Sequence, residues 1–431
     1  MTTAAATAAV LRGRHRARGA GAASGASLLT LATVASGLLT YGFLILAARS
    51  LGREAYGQVG VLWAAMFLIA IVAFRPLEQT TSQAIAQRVA AGVGVRSVVR
   101  TMTVVSLSAA LVLALVFAVT WQSIADGLFH SDQMLTAALA IGVLSYGLSY
   151  LVRGVLGGFR WFTGYAVVLL ADGGVRLAVA LPLLLVSSRA VAATAVVAAG
   201  AGGAVAALAL GRKRLLAGLR PGGSGAFGIR DAASFAAPAA VIAGADQILV
   251  NGAPILVAVS GASSSTVGLV FAATMLVRAP VYVFQGFAAS LLPNLTHLAG
   301  VGGRAQLRSA VARTAGVLFA GGVVFTAAAA VGGPVAMRTI YGRAFDAPAS
   351  TLALLAAGVA CYLAAGTFSQ ALLALELGVI GALCWSVAVV AFIGSYAVLP
   401  GSPLVRVSSS LAIGSLVAAV SLGASLARRS R

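Results

Sequence analysis

The chain has 431 residues, of which 60% are hydrophobic and only 9% charged, with a mean hydropathy of +1.02. A soluble domain needs about a quarter of its residues charged to cover its surface, so that class is excluded. The net charge of +20 is scattered over helix ends and not gathered in one patch, which excludes nucleic acid as a partner and points to anionic membrane lipids.

In chain order, apolar runs predict an all-α polytopic membrane protein with about twelve transmembrane helices. The spans are 27–48, 57–76, 101–121, 134–155, 163–186, 190–211, 233–258, 266–290, 309–332, 350–370, 377–398 and 405–426. Arg12, Arg14, Arg16 and Arg18 precede the first, as in a signal peptide. Its apolar core is longer than a signal sequence needs and a second span follows at once, so it reads as a retained helix. The organisation is a basic tail (1–26, disordered in its Arg-rich part), a six-helix lobe (27–211), a linker (212–231), a second six-helix lobe (232–426) and a short basic tail (427–431).

The basic residues fall on every second loop. Loops on the side of both termini hold 20 Lys and Arg, the opposite loops hold 6, and Arg75, Arg176 and Arg278 lie in or at the ends of spans. The asymmetry places both termini in the cytoplasm. The loop between spans ten and eleven carries Glu376 and no basic residue, and is the weakest point of this assignment. No loop is long enough for a soluble catalytic domain and no phosphate-binding loop is present. The stretch GGSGAFG (222–228) lacks the strand and helix that a nucleotide site requires, and reads as a flexible linker. Cys361 and Cys384 both lie in apolar runs, so neither a disulfide framework nor a thiolate metal site is indicated; no metal or cofactor is expected.

The two halves repeat weakly. An offset of 211 residues lays Ala55-Tyr56-Gly57 over Thr266-Val267-Gly268 and brings basic loops into register. Each half has an even number of spans, so the repeat is parallel, a transporter architecture with the substrate path between the halves.

Charges inside the bilayer are functional candidates by default. Arg75 and Glu78 share one face of the second span, beside Gln79, and Pro76 is expected to kink that helix end. Asp172 and Arg176 are spaced as a self-neutralising structural pair. Asp246 lies deep in the seventh span, followed by Asn251, and Arg278 lies in the eighth, just before Pro280. Asp246 and Arg278 either pair with each other or line a watery cavity. His15, His130 and His297 read as surface histidines, and Tyr146, Tyr150, Trp161 and Tyr165 as interfacial anchors.

Several segments resemble bacterial polysaccharide flippases of the multidrug/oligosaccharidyl-lipid/polysaccharide exporter superfamily. They are 46–74, with Arg49, Leu51, Gly52, Tyr56 and Gly57; 150–177, with Arg153, Gly154, Gly157 and Phe162; 245–280, with Asp246, Gly268 and Pro280; and LLPNLTHL at 291–298, with Pro293. Each motif is degenerate, and their order along nearly the whole chain carries the likeness. The resemblance implies two six-helix lobes around a central cavity and alternating access in the bacterial plasma membrane, with no enzymatic step. The implied substrate is a polyprenyl (pyro)phosphate-linked glycan. Arg278 and then Arg75 would bind its phosphate. Asp246, Glu78, Gln79 and Asn251 would complete the substrate site, and no residue is assigned a catalytic role. Implied partners are that glycan, membrane lipids, and a polysaccharide polymerase or glycosyltransferases of the same pathway. A cation-coupled drug or small-solute exporter, or a membrane enzyme of the pathway, remain the alternatives.

Overall fold

The computed structural model describes the backbone of residues 3–218, 227–281, 303–375 and 377–429. Eleven α-helices account for the described chain. In the first half they are α1 (Thr3–Ala90), α2 (Arg96–Phe129), α3 (Gln133–Gly158), α4 (Phe162–Ala180, with a 3-10 turn at Leu181–Leu184) and α5 (Arg189–Gly218). The second half holds α6 (Ile229–Val259), α7 (Ser264–Val277), α8 (Gly303–Tyr341), α9 (Ala349–Ala374), α10 (Gly378–Val398) and α11 (Pro403–Arg429). The helix α1 contains two passes. Gly52, with φ 71° and ψ 178°, breaks it between the first and second predicted spans. Residues from both passes then reach the same partner: the Tyr41 hydroxyl donates to Met275 O at 2.7 Å, and Gly60 lies against the Phe271 ring. With α1 counted twice, twelve helical segments are described. Among the described residues ten helices are long and apolar enough to cross a membrane, and α7 is a shorter apolar one.

The predicted spans match the helices, but the predicted loops are mostly helix. The second span does not end near Pro76: α1 runs through the proline to Ala90, and the Thr80 hydroxyl bonds back to Pro76 O at 2.8 Å. The basic tail is helical from Thr3, not disordered, because alanine dominates its start and alanine is the strongest helix former. Helices α5 and α6 extend into the predicted linker. The rest of that Gly-rich stretch (219–226), the motif at 291–298 with Pro293 and His297, the end of the eighth span and Glu376 lie outside the described residues. Phe227, within the predicted linker, is held on the first lobe: its carbonyl accepts from the Thr101 hydroxyl at 3.0 Å and its ring lies under Arg88.

Lipid offers helices no hydrophobic reason to associate, so small residues and interhelical hydrogen bonds decide the packing. Gly154 and Gly158 of α3, one turn apart, lie directly on the α1 backbone near Glu78 and Ser82. Helices α1 to α5 form one lobe and α6 to α11 the other, with α1 packed on α6 and α7 across the boundary.

The lobes meet most tightly where α1 crosses α7. A Cβ added to Gly57 would lie 1.9 Å from Ser264 O, and one added to Gly268 would lie 2.0 Å from Arg53 O. Gly57 and Gly268, and likewise Arg53 and Ser264, are separated by the 211-residue offset of the repeat. The contact is therefore reciprocal: each half presents the same positions to the other, as across a two-fold axis. Around it, Arg49 donates to Ile340 O at 2.9 Å and to Thr339 O, and Arg53 reaches Ser265 O and Ala344 O at 3.4 Å. Tyr56 closes the seam against Phe271, Tyr341 and Phe345. This end lies opposite the linker.

Gly57→Ala should force the lobes apart at this end. Spin labels on Leu185→Cys and Arg343→Cys, one exposed position per lobe, should report a longer distance in Gly57→Ala than in the parent. An unchanged distance would mean that the seam yields locally without moving the lobes.

Candidate functional site between the lobes

Three polar clusters lie within the helix bundle. The first belongs wholly to the first lobe. Arg176 is 1% exposed, and its Nη2 meets Asp172 Oδ2 at 2.8 Å, one turn away on α4. The same nitrogen donates to the Tyr146 hydroxyl at 2.6 Å, and Nη1 donates to Thr40 Oγ1 at 2.8 Å. Tyr146 in turn donates to Asp172 Oδ1 at 2.6 Å. The guanidinium lies 4.8 Å from the Trp63 ring centre and 5.9 Å from that of Phe67. Arg176 has Asp172, Tyr146 and Thr40 as partners and Asp172 has Arg176 and Tyr146, and the cluster ties α1, α3 and α4 together.

The second cluster sits nearer the linker end. Glu78 does not pair with Arg75, its neighbour on the same helix face. It meets Arg153 of α3 at 3.3 Å and accepts a hydrogen bond from the Tyr165 hydroxyl of α4. Arg153 also donates to Tyr165 at 2.9 Å and stacks between the rings of Tyr150 and Tyr165. The close approach of Gly154 to the α1 backbone brings Arg153 to Glu78. The sequence assigns Arg153 to a loop and Tyr146, Tyr150 and Tyr165 to the interface. Instead Tyr146 and Tyr150 are buried, and all three tyrosines serve charges inside the bundle. Gln79 is exposed and joins neither cluster.

The third cluster belongs to the second lobe and faces α1. Asp246 of α6 accepts a hydrogen bond from the Tyr362 hydroxyl of α9 on Oδ1 and from Gln247 Nε2 on Oδ2, the latter at 2.8 Å. Gln247 Oε1 accepts from Asn251 Nδ2 at 2.7 Å. Asn251 Oδ1 accepts from Arg278 Nη1 at 3.0 Å, which also donates to Val250 O at 3.1 Å. Arg278 is the C-cap of α7, not a mid-helix residue, and it lines a mainly apolar crevice with Tyr362, Thr274 and Leu411. Asp246 and Arg278 are thus joined through two amides and not by direct contact.

Arg75 lies on α1 between the second and third clusters, in the fields of Asp246, Tyr150 and Glu78. It has no ion-pair or hydrogen-bond partner among the described residues, where no group of three metal-ligating side chains occurs either. Of the expected site residues, Asp246, Asn251 and Arg278 come together, Arg75 and Glu78 lie alongside, and Gln79 is apart. Arg153, Gln247 and Tyr362 are the members that sequence reading missed. Gln247 had a signal, since it and Asn251 are spaced four apart directly after an intramembrane aspartate.

No protein-family model matches this chain. Uncharacterized proteins of Mycobacterium bovis and Mycobacterium tuberculosis are 28% identical over 365 residues, covering 80% of this chain and 79% of each relative. Among solved structures, an inward-facing multidrug resistance MATE family transporter of the MOP superfamily aligns with TM-score 0.70 and 17% identity, over 93% of this chain and 94% of its own. The fold is that of the MATE transporters. An outward-facing MATE family transporter gives TM-score 0.59 at 18% identity over 94% of this chain and 93% of its own, and a eukaryotic MATE transporter gives 0.59 at 15% over 95% and 98%. The chain is a multi-pass membrane protein with this two-lobe, twelve-pass architecture.

Arg176→Ala should lower stability by about 2–4 kcal/mol, because it leaves a partly buried Asp172 charge with only Tyr146 as donor. Thermal unfolding in detergent should show this, and Asp172→Asn combined with Arg176→Ala should recover part of the loss. A variant as stable as the parent would show that the cage is not what holds α4 to α1.

Proposed function

We propose that this protein is an alternating-access transporter for an anionic lipid-linked substrate, a polyprenyl (pyro)phosphate carrying a glycan, which it moves across the bacterial plasma membrane. The observation that carries the reading is the state of the charges between the lobes. Glu78 is paired with Arg153 and hydrogen-bonded by Tyr165, and Asp246 is held by Tyr362 and Gln247. Arg75, beside both, is without a direct partner among the described residues. A cation at membrane depth is costly unless something compensates it, so this site favours an anion. A guanidinium suits phosphate because its planar fork matches two oxygens at once.

The sequence resemblance to polysaccharide flippases supports the glycan, and the fold supports transport. The excess of basic residues on the linker side supports a cytoplasmic linker and cytoplasmic termini. The sealed Gly57–Gly268 end then faces outward, and the higher TM-score to an inward-facing MATE structure than to an outward-facing one agrees with that state. The prenyl tail stays in lipid while the headgroup crosses between the lobes, so no bond is made or broken.

A second reading rests on a specific observation: the solved neighbours include multidrug resistance transporters, and Asp246 is an acid at membrane depth. On that reading the chain exports drugs or small solutes, driven by a cation.

Leaflet-resolved detection of polyprenyl-linked glycans in cells depleted of the protein separates the two. Accumulation on the cytoplasmic face, restored by the parent but not by Arg75→Ala or Arg278→Ala at equal membrane abundance, is the expected result. Normal glycan distribution with raised drug sensitivity would overturn the flippase reading in favour of the exporter. Glycan that reaches the outer face but is not polymerised would point to a later enzyme of the pathway.

A further inference from the structure

The hydrogen-bond chain on α6 has a fixed direction. Arg278 can only donate, and an ionised Asp246 can only accept. Between them stand two amides, each with one donating and one accepting end. Asp246 draws the Gln247 amide nitrogen, which turns Gln247 Oε1 toward Asn251 Nδ2, which turns Asn251 Oδ1 toward Arg278. Tyr362 fixes the other oxygen of Asp246 from α9. Gln247 and Asn251 are both buried, so water does not compete for these positions.

The far end of the chain holds only one nitrogen of the guanidinium. Nη1 carries all the hydrogen bonds that Arg278 makes among the described residues, to Asn251 Oδ1, Val250 O and weakly to Met275 Sδ. Nε is buried and unpartnered. The Nε–Nη2 edge is one of the two edges with which arginine binds a carboxylate or phosphate through parallel hydrogen bonds. A buried donor left unsatisfied is costly, which makes this edge a place for an acceptor.

We propose that Gln247 and Asn251 are positioning residues, which pin Nη1 of Arg278 so that its Nε–Nη2 edge is presented, pre-oriented, to the anionic headgroup of the substrate. On this account Asp246 acts through its hydrogen bond to Gln247, and its charge is not what the headgroup senses. The inference rests on the anionic-substrate reading above and adds to it the residues that aim the arginine.

The test uses the full chain in nanodiscs and farnesyl diphosphate as the probe, with its dissociation constant as the readout and thermal unfolding as a check on assembly. Asn251→Leu and Gln247→Leu should each weaken binding by about tenfold; Gln247→Met, closer in shape, serves if either fails to assemble. Asp246→Asn retains an acceptor for Gln247 and should bind within about threefold of the parent, whereas Asp246→Leu should lose about tenfold. Arg278→Lys, which keeps the charge but not the fork, should weaken the parent but add little to Asn251→Leu. If the parent and Arg75→Ala binding are equal, or the parent does not bind, the anionic-substrate reading fails and this inference with it. If the parent binds and loses affinity on Arg75→Ala, but Gln247 and Asn251 variants bind as the parent does, the inference alone is overturned. Equal losses for Asp246→Asn and Asp246→Leu would also overturn it, since charge and not orientation would then be the requirement.

Discussion

The arrangement of this protein depends on a contact between two main chains. Gly57 and Gly268 approach so closely that neither position has room for a Cβ. In lipid this is an efficient way to hold helices together, because it allows dispersion contacts along whole backbones where no hydrophobic force acts. Its symmetry matters more than its tightness. The contact joins equivalent positions of the two halves, so it can form or open as a unit with each lobe behaving alike. What surrounds it is also suited to breaking: Arg49 and Arg53 hold the other lobe by backbone carbonyls, not by buried carboxylates. Parting such bonds leaves no uncompensated pair of opposite charges, which in a membrane would be the larger cost.

The two acids nearest the lobe boundary can be accounted for partner by partner. Each acid there is already matched. Glu78 has Arg153 and Tyr165; Asp246 has Tyr362 and Gln247. The tyrosines are what allow this, because a phenol neutralises nothing but supplies a strong donor that a carboxylate can use without taking a second arginine away from other work. Arg75 and one edge of Arg278 are thereby left without a direct protein partner among the described residues.

The helices were legible in the sequence because apolar runs of bilayer length carry their own signal. The turn between the first two passes was legible as the gap between apolar runs, and the repeat in the 211-residue offset, which proved to relate residues that touch. Loop lengths were not legible: α1 continues helically past Pro76 to Ala90, since amphipathic helix beyond the bilayer has no hydropathy signal. Charge partners were the least legible. Spacing along one helix correctly places Asp172 beside Arg176, but it also suggests Arg75 beside Glu78, and there the neighbouring helix supplies Arg153 instead. A contact between helices depends on which small residues let backbones approach, here Gly154 and Gly158, and a single sequence does not state which helices meet. Gln247 escaped because an uncharged side chain raises no alarm in an apolar run.

Arg176 and Arg75 show why intramembrane charge alone does not identify a site. Both are arginines within helices of the same lobe, and the rule that marks one as functional marks the other equally. Their surroundings separate them. Arg176 is enclosed by a carboxylate, two hydroxyls and two aromatic faces of its own lobe, so both of its terminal nitrogens are held by the fold. Arg75 shares a region with two acids that are both bound elsewhere. Intramembrane charge alone therefore does not separate the two arginines; their partners do. The same distinction applies within Arg278, where one nitrogen is fixed by protein and Nε on the opposite edge is buried without a partner, and the proposed headgroup contact rests on that difference.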